Sequence, residues 1–317
     1  MFLLRKLILA LSGSTAVRDT VSRAPITKSV VDRFIPGETT ADVVAAVVTL
    51  RAKGLQVSLD HLGEETTDRT TADATVDAYL ELIAALSAVG QVSGSEVSVK
   101  LSAVGQALTA APDLPAGGNA YALSGALRIA DAAYAAGARM NLDIEDHTTT
   151  DQTLEVLFEL RRTHPDVGVA IQAMLLRTPK DLAELVGPGS RVRLVKGAYH
   201  EPASVAFTDP DQIDLAYVRS MKYLMNGKGY PMIGSHDPRM VAIAAKLASD
   251  AGRGPDRWEY QMLFGIRPDE QERLVSGGRT VRVYVPYGAD WYGYFTRRLA
   301  ERPANLLFFL RSLASRG

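Results

Sequence analysis

Short runs rich in Val, Ile, Leu and Tyr recur along the chain and alternate with longer segments of helical periodicity. Most of the runs carry glycine near one end, as is typical of buried strands. There are eight such runs, at residues 55–63, 96–105, 138–146, 167–175, 191–199, 230–237, 257–265 and 280–288. The Ala- and Leu-rich segments between them predict helices, for example at 72–89, 122–136, 153–163 and 240–251.

Strand–helix alternation of this kind predicts an α/β protein with a parallel sheet. Closure of eight strands into a distorted (β/α)8 barrel of the TIM type is the simplest arrangement, and an open doubly wound sheet is the alternative. A barrel typically needs about 250 residues, and the chain has 317. No linker or composition shift divides it. We therefore expect a single domain over 1–317, with a helical N-terminal extension over 1–40.

Composition narrows the functional classes. A formal net charge of −1 argues against nucleic-acid binding, which normally requires a basic excess. The absence of cysteine excludes disulfides, thiolate metal sites and a cysteine nucleophile. Residues 1–12 are apolar but interrupted by Arg5 and Lys6, so they predict a packed leading helix, with shallow contact to a bilayer surface as the alternative.

Polar residues interrupt most of the predicted strands, usually near the carboxyl end, where a barrel places its active site. Burying Lys, Arg or Asp without a partner is costly, so these side chains are expected to meet one another or a ligand. The residues are Lys100, Asp143, Gln172, Arg193, Lys196, His236, Gln261 and Tyr284.

Several familiar motifs are missing. Two acid–histidine clusters, at 61–65 and 143–147, lack the spacing of a known metal site, so no metal site is predicted. The chain has no G-x-G-x-x-G after an early strand, no Walker loop and no G-x-S-x-G elbow. A dinucleotide would therefore have to bind outside a Rossmann unit.

The segment after the eighth strand, 292–313, predicts a helix that Pro303 kinks or breaks. Arg297 and Arg298 stand side by side on it, and two guanidinium groups can grip a carboxylate or a phosphate. The alternative is a solvated basic pair that Glu301, one turn further on, partly neutralises.

With these motifs in view, the chain resembles the proline dehydrogenase family, including the proline-oxidising domain of bifunctional bacterial proline utilisation flavoenzymes. The resemblance runs from about 58 to 313. It rests most on RLVKGAY at 193–199 and YFTRRLAERPAN at 294–305. DHLGE at Asp60 and the motifs around the polar strand residues support it.

The resemblance implies non-covalent FAD and the oxidation of L-proline to 1-pyrroline-5-carboxylate by hydride transfer from C5 to flavin N5. It assigns the proline carboxylate to Lys100, Arg297 and Arg298, and makes Asp143 the acid that orders Lys100 and the arginines. Arg193 is placed to donate towards N5. The walls around the proline ring are Tyr199, Leu263 and Tyr284. The other FAD contacts are Ile144, Gln172, Lys196, Gly197, Ala198, Ser235, His236, Gln261 and Glu301.

The resemblance also implies a setting: the first step of proline catabolism, a membrane quinone as electron acceptor, and a separate pyrroline-5-carboxylate dehydrogenase downstream. The expected location is cytoplasmic, with peripheral contact to the inner face of the membrane. His200 replaces a common Trp, whereas Tyr284 favours proline over 4-hydroxyproline. Alternatives are a hydroxyproline dehydrogenase, a non-flavin Schiff-base lyase using Lys100 or Lys196, and a non-catalytic binding protein.

Overall fold

Eight parallel strands form a closed barrel in the computed structural model, which describes residues 31–295. Each strand pairs with the next in the chain, and the first closes on the last, with Gln56 opposite Arg282 and His61 opposite Tyr287. The barrel prediction is therefore confirmed and the open sheet is excluded. The strands are β1 Gln56–His61, β2 Glu96–Lys100, β3 Arg139–Asp143, β4 Gly168–Gln172, β5 Arg191–Val195, β6 Tyr230–Gly234, β7 Glu259–Leu263 and β8 Val281–Tyr287.

Helices surround the barrel and begin a few residues earlier than the apolar pattern predicts. Asp68 caps the helix that follows β1, accepting from the Thr71 amide at 2.8 Å. Asp237 caps the helix that begins at Pro238. Proline is favourable there because the first N–H of a helix has no intrahelical acceptor, so its absence costs nothing. The described helices are α1 Thr40–Ala52, α2 Arg69–Ala88, α3 Gly117–Ala135, α4 Thr150–Leu160, α5 Thr178–Leu185, α6 Pro210–Asn226, α7 Pro238–Asp250 and α8 Pro268–Ser276.

The main apolar core lies between the strands and the helices. Alternate strand residues such as Val57, Leu59, Val97 and Val99 are fully buried there against apolar faces of the helices. Because side chains alternate across a strand, the intervening residues point into the barrel. In β2 those residues are Glu96, Ser98 and Lys100, so the barrel interior is polar.

Charges occupy the amino-terminal layer of that interior. Glu96, Arg191, Glu259 and Arg282 are each at most 5% exposed. Arg282 Nε donates to Glu259 Oε1 at 2.7 Å, and Arg191 Nη2 donates to Glu96 Oε2 at 3.2 Å. Branched apolar residues usually fill such layers. The sequence reasoning did not anticipate this layer, because it weighed only polar residues late in the strands.

A second apolar cluster lies over the carboxyl ends of the strands. It joins residues 31–35 to residues 291–295, which are helical. Trp291 Nε1 donates to Glu38 at 2.8 Å, and the rings of Phe34 and Phe295 lie 6.4 Å apart. Leu263 and Tyr284 pack against this cluster, which therefore walls one side of the barrel mouth.

Gly265, just after β7, packs closely against the N-terminal segment at Arg33, and Gly265→Ala should destabilise the protein. Its φ is +70°, and an added Cβ would lie 1.6 Å from the carbonyl oxygen of Arg33. Left-handed strain and overlap together should lower the free energy of unfolding by about 2 to 5 kcal/mol. Gly278 is the matched control, because its φ is +74° but no described atom lies within 4 Å. Urea unfolding should show the larger loss at Gly265, and equal losses would contradict the contact.

Two predictions concern the ends of the chain. Of the predicted helical extension over 1–40, residues 1–30 lie outside the described residues. Of the predicted final helix over 292–313, residues 296–313 lie outside them. Within 31–295, no helix combines the length and apolarity needed to cross a membrane.

Candidate active site

A cavity of about 470 Å³ opens at the carboxyl ends of the strands. Every predicted site residue that the structure describes lines it: Lys100, Asp143, Ile144, Gln172, Arg193, Lys196, Gly197, Ala198, Tyr199, Ser235, His236, Gln261, Leu263 and Tyr284. The cavity brings them together because parallel strands present all their carboxyl ends on one face. The predicted residues Arg297, Arg298 and Glu301 lie outside the described residues.

The cavity wall also contains residues to which sequence reasoning assigned no role. The acids among them are Asp60, Glu64 and Asp237, and the others are Ala170, Val195, Gly234, Met262 and Tyr294. Asp60 is the last residue but one of β1, as Lys100 is the last of β2. The same pattern of a polar residue late in a strand could therefore have identified it.

The loop after β5 is bonded to the loop after β4, which turns residues 196–199 towards the cavity. The amides of Ala173 and Met174 donate to the carbonyls of Val195 and Lys196, at 2.8 and 2.9 Å. Gly197 has φ of +121°, and a Cβ there would lie 2.4 Å from the sulfur of Met174. Glycine is therefore required at this position.

Arg193 lies at the floor of the cavity, 4% exposed, with all five of its N–H groups bonded to the protein. Its acceptors are Gln261 Oε1 at 2.5 Å, Ser98 Oγ at 2.8 Å, Asp143 Oδ1 at 2.5 Å, Ser58 Oγ at 2.8 Å and Glu96 Oε1 at 2.8 Å. The ring of Tyr284 covers the guanidinium at 5.2 Å. This cation is therefore held rigidly, and any ligand that takes an N–H from it must displace an acceptor.

Asp143 connects that cation to the cavity wall. Its Oδ1 accepts from Ser98 Oγ at 2.8 Å as well as from Arg193, and its Oδ2 accepts from the Tyr284 hydroxyl at 2.7 Å. Burial and the neighbouring carboxylate of Asp143 raise the pKa of Tyr284 well above its usual value. Tyr284 therefore stays neutral and serves as a donor to Asp143.

Lys100 is bonded to Asp60 rather than to Asp143, which corrects the expectation that Asp143 orders it. Its Nζ lies 2.7 Å from each carboxylate oxygen of Asp60. Burial acts to lower the pKa of Lys100, but the carboxylates of Asp60, Asp143 and Glu64 outweigh it and raise the pKa above the usual value. Lys100 is therefore protonated, with one N–H left to offer a ligand.

Asp60→Asn should make Lys100 chemically reactive. Without the Asp60 carboxylate, less opposes the effect of burial, so the pKa of Lys100 falls and the neutral fraction of the amine at pH 8 should rise at least about tenfold. Acylation with an N-hydroxysuccinimide ester, followed by peptide mass spectrometry, measures that fraction. Glu145→Gln is the control, since this buried carboxylate bonds to Ser102 instead. Equal labelling of Lys100 in the wild type and in Asp60→Asn would refute the pairing.

The other cavity cation in the described part of the chain is also paired. Lys196 Nζ bonds to Asp214 and lies 3.4 Å from Asp237. With Lys100 bonded to Asp60 and Arg193 to Asp143, little positive charge remains uncompensated. An anionic ligand would need further cations, which the predicted pair Arg297 and Arg298 could supply.

One side of the cavity contains groups suited to a polar ring system. Gln172 is 2% exposed and donates from Nε2 to the Glu145 carbonyl at 2.5 Å, while its Oε1 has no hydrogen-bond partner among residues 31–295. His236 Nε2 accepts from the Leu263 amide at 2.8 Å, so the neutral ring carries its proton on Nδ1. These groups can hold a ligand that presents both donors and acceptors.

In the acid–histidine cluster at 143–147, which was weighed as a metal site, the side chains have other partners. His147 Nδ1 bonds to Glu201, and Glu145 accepts from Ser102 Oγ at 2.7 Å. Across 31–295, no group of three or more acids and histidines is arranged to hold a metal ion.

Comparison of the sequence with known proteins gives a consistent family. The sequence profile of the family described as proline dehydrogenase matches residues 43–311. The proline dehydrogenase of Deinococcus radiodurans is 37% identical over 286 residues, 89% of each chain. Proline dehydrogenase 1 of Bacillus subtilis is 34% identical over 281 residues, again 89% of each chain.

Solved structures show a similar fold. Proline utilization A from Bdellovibrio bacteriovorus, inactivated by N-propargylglycine, superposes on 86% of this chain with a TM-score of 0.77 and 24% identity. The Bradyrhizobium japonicum protein covers 88% with a TM-score of 0.70 and 23% identity. The chain spans about a third of the length of these proteins, 32% and 31%. At this identity the match concerns the fold alone.

Proposed function

Because the chain belongs to the proline dehydrogenase family, we propose that it oxidises L-proline to 1-pyrroline-5-carboxylate with non-covalently bound FAD. One observation carries the proposal. All fourteen predicted site residues within 31–295, drawn from seven strands and the loops after them, line a single cavity. Its volume lies within the range of about 300–1,000 Å³ of small-molecule sites.

The residues present fit FAD. The buried Oε1 of Gln172, which has no partner within 31–295, can accept from an N–H of a flavin ring, and Lys196 at the rim can offer its ammonium group to a phosphate. Backbone at 196–198 and the side chains of Ser235, His236 and Gln261 complete the proposed FAD contacts, with Ile144, Arg193 and Glu301. The chemistry that FAD supplies when bound is acceptance of the hydride that leaves C5 of proline for flavin N5.

The chain's own residues would orient the substrate. The protonated Lys100, aimed by Asp60, offers an N–H to the proline carboxylate, together with Arg297 and Arg298. Tyr199, Leu263 and Tyr284 pack around the ring, exclude water and hold the reacting carbon at close range. Arg193 favours negative charge that develops above the cavity floor. No residue has to act as a nucleophile.

The observed pairing weighs against the alternatives. A Schiff-base lysine must lose its proton, whereas Lys100 is held protonated by Asp60, and Lys196 is paired with Asp214. A hydroxyproline dehydrogenase would need room for an added hydroxyl, but the Tyr284 ring is fixed there by its bond to Asp143. An inherited barrel without catalysis would have little reason to keep so many buried charges paired around a cavity.

The remaining elements of the proposal concern the setting of the enzyme. Electrons pass to a quinone-type acceptor in the membrane, and a separate pyrroline-5-carboxylate dehydrogenase consumes the product. The reaction is the first step of proline catabolism, and the protein works in the cytoplasm with peripheral contact to the inner membrane face. These elements rest on the family resemblance.

The first test is an anaerobic absorbance spectrum of the purified protein before and after addition of L-proline. We expect visible flavin bands that bleach with L-proline and stay unchanged with 4-hydroxyproline. A protein that remains colourless after incubation with FAD would overturn the proposal. If the bands bleached with 4-hydroxyproline but not with L-proline, the proposal of bound FAD would stand and L-proline would be the wrong substrate.

A further inference from the structure

Glu96 lies directly beneath Arg193 and connects it to the charged layer of the barrel interior. Glu96 Oε1 accepts from Ser58 Oγ and from Arg193 Nη2, both at 2.8 Å. Its Oε2 accepts from Arg191 Nη2 at 3.2 Å. Since β2 and β5 are not neighbours in the barrel, the bond between Glu96 and Arg193 crosses the interior.

The charge of Glu96 is permanent under ordinary conditions. The side chain is fully buried. Burial alone would raise its pKa, but the guanidinium groups of Arg282, Arg193 and Arg191 lower the pKa of Glu96 to about 2. Burying this carboxylate costs desolvation free energy, so whatever it contributes must come from its interactions with the groups that bond to it.

The acceptors of Arg193 differ in what they face. Asp143 and Gln261 line the cavity, whereas Ser58, Ser98 and Glu96 do not. A ligand in the cavity can therefore take over an N–H that Asp143 or Gln261 now holds. It cannot reach the Nη2 group, which Ser58 and Glu96 hold from below.

We propose that Glu96 is a positioning residue that anchors Arg193 from beneath, so that the guanidinium keeps its place when a ligand displaces its upper acceptors. This inference rests on the proposed function, in which Arg193 acts on the electron-accepting end of the bound flavin. Glu96 itself does not border the cavity and touches no ligand.

The test shortens Glu96 without removing its charge. Glu96→Asp keeps the carboxylate but is one methylene shorter. Misplacing Arg193 by about 1 Å should lower kcat for L-proline about 100-fold in Glu96→Asp. KM for proline should stay within about threefold, because Lys100 and its partners are untouched. Glu145→Asp is the matched control: it shortens another buried acid by one methylene, but that acid bonds to Ser102 and to neither Arg193 nor its acceptors.

A second measurement needs no turnover. Sulfite adds to protein-bound flavins, and positive charge beside the accepting atom strengthens its binding. We expect the FAD-loaded Glu96→Asp protein to bind sulfite about tenfold more weakly than the wild type, and Glu145→Asp to match the wild type. If the wild type holds FAD but does not oxidise proline, the proposed function fails while the sulfite comparison still tests Glu96.

Two outcomes would overturn the inference. The first is that Glu96→Asp keeps the kcat and the sulfite affinity of the wild type, which would mean that Glu96 only balances the charge of Arg193 and does not position it. The second concerns Ser58→Ala, which is used if Glu96→Asp does not retain FAD. Ser58→Ala then removes the hydroxyl that bonds to both Glu96 and Arg193, and it should weaken sulfite binding in the same direction but less. Unchanged sulfite affinity in Ser58→Ala would count equally against the anchor.

Discussion

Asp143→Asn is expected to lower kcat/KM for L-proline by a factor of about 100 or more while FAD stays bound. Asp143 satisfies two different donors at once, Arg193 through Oδ1 and the Tyr284 hydroxyl through Oδ2. An asparagine amide has one oxygen, so it can accept from only one of them and turns its NH2 group towards the other. Either Arg193 or Tyr284 therefore loses its hydrogen bond to residue 143.

Glu145→Gln is the matched control for this prediction. Glu145 is also a buried acid, 8% exposed, two residues beyond the end of β3, but its side chain bonds to Ser102 and does not line the cavity. Its substitution should leave kcat/KM within about threefold of the wild type. Steady-state kinetics with measured FAD content decides the matter, and equal losses in both variants would mean that Asp143 acts only through general stability.

Arg298→Met is expected to raise KM for L-proline by about tenfold to 100-fold, with FAD retained and kcat little changed. The described cavity cations are already paired, Lys100 with Asp60 and Arg193 with Asp143. A substrate carboxylate therefore depends on added positive charge, and one charge-assisted bond contributes about 1.5–3 kcal/mol. Because that bond is present both in the bound complex and in the transition state, its loss appears in KM.

Arg162→Met serves as the control for the arginine prediction. Arg162 lies just after α4 and is largely exposed, paired with Glu159 on the same surface. Its substitution should leave KM for L-proline unchanged. Wild-type affinity for proline in Arg298→Met would remove Arg298 from the carboxylate site and leave that role to Lys100 and Arg297.

The strand predictions were right in type and order but ran too far at the carboxyl ends. The run at 96–105 illustrates why: β2 stops at Lys100, and Ser102–Val104 form a 3-10 turn although all three are buried. This turn carries apolar residues because it packs into the main core, where Val104 is fully buried. Periodicity therefore cannot tell a strand end from a buried loop.

Asp60 and Glu96 show what the sequence could not predict about the site. Asp60 stands in a motif that carried the family resemblance, yet nothing local indicates that it pairs with Lys100, 40 positions away. Glu96 stands at the start of its strand, where a charged residue normally faces solvent. Its burial follows only from the closed barrel.

The sequence alone was sufficient for the order of the elements, the parallel barrel and most of the polar residues late in its strands. Those properties depend on local pattern, since alternation along each strand decides which side chains point inward. Only the tertiary structure decided the partners: Lys100 with Asp60, Arg193 with Asp143 and Glu96, and Tyr284 with Asp143. Each of these bonds joins residues from different strands. Their geometry depends on strand register and barrel closure, which arise from the packing of the whole chain.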